Sequence, residues 1–133
     1  MTINHDEVVT KILSKIGEPV TFNYPGDEPE ACGKLKDRYV LPAQGERSSV
    51  PYWDVVDLIE FPKEAEQEWI RIGYYRMTKD RLVWGSQTTI TEPISIWRSL
   101  LMNAAKNKPW FRTLLEDVVR EVNVTEAEPA SSN

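Results

Sequence analysis

Asp57, Arg71 and Tyr75 are the residues whose types suit chemistry in this 133-residue chain. Asp57 sits on a stretch, VPYWDVVDLIEF, where every second residue is large and apolar. A carboxylate in that phase is buried, so it needs a partner or a raised pKa. Arg71 and Tyr75 stand two strand periods apart on the next apolar stretch. If the two stretches pair, a carboxylate, a guanidinium and a phenol can converge in one cavity. Tyr74, Trp84 and Arg76 on the same hairpin are candidate ligand-binding residues, for an apolar pocket with a few converging polar groups.

Other chemistry finds few residues to use. One histidine, His5, and one cysteine, Cys32, lie far apart in sequence. That excludes a zinc site of the usual kind and any internal disulfide. No Gly-rich loop precedes a helical stretch, and no G-x-S-x-G element is present. No cofactor or metal is expected, and the balance leans away from an enzyme. Lys34, Lys36 and Arg38 share one parity along their strand, the pattern of a stripe gripping a phosphate backbone or of a solvated outer face. Arg98, Lys106, Lys108 and Arg112 form a second basic patch.

The elements that must position these residues follow from periodicity. Trp69 to Thr91 (WIRIGYYRMTKDRLVWGSQTTIT) reads as a long β-hairpin, dense in aromatic and β-branched residues. A two-residue loop at Lys79-Asp80 sets Tyr75 opposite Trp84, Met77 opposite Leu82 and Tyr74 opposite Gly85. A slip of one residue would exchange the faces. Upstream, Pro19 to Tyr24, Ala31 to Leu41 and Val50 to Phe61 read as strands. The last is apolar on both faces and so predicts a central position.

Helices flank the sheet. Asn4 caps a helix whose stripe is Val8, Val9, Ile12, Leu13 and Ile16, with Gly17 as the stop. Pro93 opens a second, with Ile94, Trp97, Leu100, Leu101 and Ala104 inward, and Pro109 a third. Phe111, Leu114, Leu115, Val118 and Val122 line the third helix, and Trp110 and Val119 widen that face beyond what one neighbour would bury. The expected fold is α+β: an N-terminal helix, a twisted five-stranded antiparallel meander and two C-terminal helices packed on it, as one domain over residues 1–122. Residues 123–133 are small, acidic and polar, and are expected to be a disordered tail.

Net charge is −5 and uneven. Residues 91–113 hold four bases and one acid, whereas residues 114–133 hold five acids and one base. The acidic balance disfavours general nucleic-acid binding, because phosphate neutralisation supplies most of that affinity. No run approaches the roughly 20 apolar residues of a membrane helix, so a cytoplasmic protein that does not enter the membrane is expected. The leading functional expectation is a non-catalytic binding or regulatory module acting through protein–protein contacts, with self-association through the C-terminal helices as one form. The alternative is a small-ligand binder or cofactor-free enzyme using a pocket in the curved sheet, and the third is a nucleic-acid binder.

Overall fold

A computed structural model describes residues 4–23, 26, 29–41, 46–47, 50–79, 81–85 and 93–131. The chain forms two compact units, Met1–Glu92 and Pro93–Asn133. The first contains helix α1 (His5–Leu13) and strands β1 (Pro19–Phe22), β2 (Ala31–Val40), β3 (Glu46–Arg47), β4 (Val50–Glu60), β5 (Glu68–Thr78) and β6 (Arg81–Trp84). The second contains α2 (Ile94–Asn107) and α3 (Pro109–Ser131). This is the α+β architecture expected from the pattern of periods. The sheet is an antiparallel meander in the order β1-β2-β4-β5-β6, with the two-residue β3 paired to β4.

β4 is the middle strand, and Trp53 to Ile59 is buried without a break. Apolar residues on both of its faces predicted this central place. On one face Trp53 and Val55 join Val8, Ile12, Val40 and Tyr75 in the main core cluster. α1 supplies Val8 and Ile12 to that cluster from one stripe. The Asn4 side chain accepts a hydrogen bond from the Glu7 amide at 3.1 Å, which satisfies one orphan donor of the first turn. The helix ends at Leu13, and Gly17, at φ +97°, turns the chain toward β1. Its amide donates to the Leu35 carbonyl at 2.7 Å. A second cluster gathers Ala31, Leu35, Ile59 and Phe61 under Val20 and Trp69.

The β5–β6 hairpin has the register read from the sequence: Tyr75 pairs with Trp84, Arg76 with Val83 and Met77 with Leu82. Lys79 takes φ +50°, the left-handed conformation a two-residue hairpin loop demands. The Gly85 amide donates to the Tyr74 carbonyl at 2.9 Å, and the Tyr74 ring fills the place where a Gly85 Cβ would stand. The aromatic ring thus covers a bare stretch of strand. Gly85→Val is expected to cost about 1–3 kcal/mol by overpacking against that ring. In a Tyr74→Ala background the same change should cost much less, and urea unfolding of the four proteins measures the coupling. Equal costs in the two backgrounds would mean that the ring does not rest on Gly85. The pairing expected from Ser86 to Thr91 falls outside the described residues.

Two expectations need correction. The stripe of Lys34, Lys36 and Arg38 assumed unbroken alternation, but β2 carries a bulge. Leu35 pairs with Ile59, yet Leu58 pairs with Asp37, so Lys36 is an extra residue. Alternation restarts beyond it, leaving Lys34 and Lys36 exposed and Arg38 1% exposed. The second concerns the C-terminus: α3 continues to Ser131, through the stretch read as a disordered tail. A helix already nucleated adds Glu126, Ala127 and Glu128 at little cost, whereas Pro129 withholds an amide donor from the last turns. Among the described residues, no helix is long and apolar enough to cross a membrane.

Candidate functional site

Three strands bring one ionic row together. Arg38 of β2 pairs with Asp57 of β4, and Asp57 pairs with Arg71 of β5. Cross-strand neighbours on one face stand close enough for their side chains to meet. Arg38 grips Asp57 with both ends of its fork: Nε donates to Oδ1 at 2.6 Å and Nη2 to Oδ2 at 3.0 Å. From the other side, Arg71 donates Nε at 3.1 Å and Nη2 at 2.9 Å to the same Oδ2. Asp57 is 0% exposed, and four charge-assisted hydrogen bonds meet its desolvation.

The remaining donors of Arg38 tie the row to its surroundings. Nη1 donates to the Tyr75 hydroxyl at 3.0 Å and to the Ile12 carbonyl at 3.1 Å. Ile12 lies in the last turn of α1, where carbonyls lack partners within the helix and carry partial negative charge. One guanidinium therefore joins helix, middle strand and hairpin. Burial opposes its charge, but the hydrogen bonds and charge of Asp57, and then Tyr75, outweigh burial and hold it above the ordinary arginine range.

Aromatic rings pack on the two cations. The Arg38 guanidinium carbon lies 5.1 Å from the Tyr75 ring centre, and that of Arg71 lies 4.6 Å from the Trp84 ring centre. Tyr75 and Trp84 pack together with centroids 4.9 Å apart. Trp84 reaches Arg71 because Gly73 lies between them on β5 and has no side chain. The far edge of the indole occupies the space a Gly73 Cβ would take. The glycine is thus the seat of the ring.

Above the row opens a cleft of about 290 Å³, with Arg38, Arg71, Tyr75 and Trp84 at its base and Lys15 and Glu18 among its other walls. Arg38 and Arg71 carry two positive charges and Asp57 one negative, so the row is left with one positive charge. Arg71 is 34% exposed on its side chain and belongs partly to the cleft. These groups can bind, orient and charge-match a ligand.

The structure brings Asp57, Arg71 and Tyr75 together, and with them Trp84, which the sequence reading had grouped with Tyr74 and Arg76. Tyr74 and Arg76 are not with them, because alternation along β5 turns both to the opposite face. There Tyr74 is spent on Gly85, and Arg76 is exposed. The nucleic-acid stripe loses its third member to the core, and Lys36 is engaged by Glu68 at 2.9 Å. Cys32 is exposed. His5 is exposed as well, its ring 5.4 Å from that of Trp53. Among the described residues no three metal-ligating side chains converge. Sequence reasoning placed Arg38 in a nucleic-acid stripe, missed it as a partner of Asp57, and did not single out Lys15. The signal for Arg38 was a change of parity, since Ala31 and Leu35 are apolar on odd positions and Val40 on an even one.

No family model, no curated protein and no solved structure matches the chain.

Proposed function

We propose that the chain is a non-catalytic binding module whose cleft receives a small ligand carrying an anionic group beside an apolar or aromatic portion. One observation supports this above others. Arg71 spends Nε and Nη2 on Asp57, and Nη1 has no partner among the described residues while the side chain lines the cleft. A guanidinium has five N–H donors, so this arginine is anchored at one edge and keeps free donors at the other. Trp84, Tyr75, Val20 and Leu35 supply the apolar walls such a ligand needs. The reading is non-catalytic because the polar groups at the base already hold one another in place.

Benzoate and phenyl phosphate serve as probes, with benzyl alcohol as the uncharged control. Both anions are expected to raise the melting temperature and perturb tryptophan fluorescence, whereas the alcohol does neither. Arg71→Met keeps an apolar stem against Trp84 and removes the charge. It should weaken anion binding by about 1.5–3 kcal/mol, the worth of a hydrogen bond to a charged group. No response to either anion, or an equal response in the Arg71→Met protein, defeats the reading.

A second reading, a protein contact through the C-terminal helices, is favoured by a different observation. α3 leaves Leu114, Val118, Val119 and Val122 between 41% and 57% exposed.

A further inference from the structure

We infer that α3 pairs side by side and antiparallel with α3 of a second copy of this chain, through a seam centred on Val118. This deepens the reading of α3 as a contact surface and rests on it. The apolar stripe of α3 starts at Phe111, which is buried, and runs on through Leu114, Val118 and Val122, which are 41%, 50% and 51% exposed. Residues spaced four apart form one inclined row on a helix, and such rows interlock with the rows of a facing helix. Val119 at 57% and the half-buried Leu115 broaden the row to a face wide enough for a helical partner.

Charge selects a second copy as that partner and sets its direction. Residues 106–113 hold Lys106, Lys108 and Arg112 and no acid. Residues 114–131 hold Glu116, Asp117, Glu121, Glu126 and Glu128 against the one base Arg120. Arg120 is already paired to Asp117 within the helix, at 3.0 Å. The helix therefore has a basic beginning and an acidic remainder. An antiparallel pair sets Leu114 of one copy against Val122 of the other and brings each Arg112 alongside the acidic end of its neighbour. A parallel pair would stack Glu116, Asp117 and Glu121 on their own copies, which costs energy at every level.

Light scattering on the full chain is expected to give twice 15.3 kDa at high micromolar concentration, and Val118→Asp should return it to one chain. Orientation is read with Val118→Cys and Leu114→Cys, each in a Cys32→Ser background, under mild air oxidation. The antiparallel seam cross-links the Val118→Cys protein with itself and leaves the Leu114→Cys protein uncross-linked. Cross-linking of both overturns the orientation. A wild-type monomer whose Val118→Cys thiol is alkylated quickly overturns self-pairing but leaves a contact surface for another protein. A monomer whose thiol is protected shows the chain covering its own face, and a dimer indifferent to Val118→Asp associates elsewhere. Either result overturns the self-pairing and the α3 reading together.

Discussion

Asp57→Asn is expected to lower the unfolding free energy by about 3–5 kcal/mol, the usual cost of removing one partner from a buried ion pair. The asparagine keeps the shape and the strand pairing. It removes the one negative charge that Arg38 touches among the described residues, in a place where that arginine is 1% exposed. Arg38 borders the cleft but is almost fully buried and cannot shed its proton, so most of the penalty falls on the folded state. Arg71, one-third exposed, can turn outward and recover hydration, so the loss is set mainly by Arg38. Arg38→Met with Asp57→Leu removes both charges and fills their space with apolar groups. It should cost much less than the two single changes added together, because a buried pair replaced as a unit is often close to neutral. Urea unfolding gives each value, with an unchanged slope showing that the fold persists. Asp57→Asn as stable as wild type would mean that the carboxylate does not hold Arg38.

Trp53→Ala should cost about 3–5 kcal/mol, as for other large aromatics cut from a closed core. Trp53 is 0% exposed and packs with Val8, Ile12, Val40, Val55 and Tyr75, so the void would lie between α1 and three strands. Trp53→Phe separates two opposed effects. It loses part of the ring volume, but it also removes an indole N–H that is buried with no acceptor among the described residues. An unmade buried hydrogen bond carries about 1–3 kcal/mol of desolvation. The phenylalanine is therefore expected to cost less than half of what the alanine costs. If both substitutions cost the same, the indole nitrogen has an acceptor and the ring is held by it.

Much of the frame was legible because the signals were local. Apolar residues on both faces marked β4 as central, and the polar interval Lys79-Asp80 between aromatic arms set the Tyr75–Trp84 pairing. Asn4 and Pro109 marked two helix starts. Asp57 was legible as an anomaly, a carboxylate in an apolar phase, and anomalies of that kind point to a partner. The partner itself was half hidden. Arg71 lies on a regular strand, so its face could be counted, but Arg38 lies beyond a residue that breaks the count. Parity can be read only along an uninterrupted ladder, and nothing in the types Leu35-Lys36-Asp37 announces an interruption. Tyr74 and Arg76 were grouped with Trp84 by closeness in sequence, although the two-residue period separates them. The continuation of α3 to Ser131 was missed because acidic composition was weighed above helix propensity.

The bulge at Lys36 gives β2 a reading frame, and the frame has an electrostatic meaning. Counted without a pause, the ladder would have set Asp37 across from Asp57 and Arg38 across from Val56, two anions abutting and a cation facing an oily wall. The supernumerary residue delays the count by one, and repulsion becomes attraction. Loss of Lys36 would close the bulge and still leave Arg38 across from Asp57.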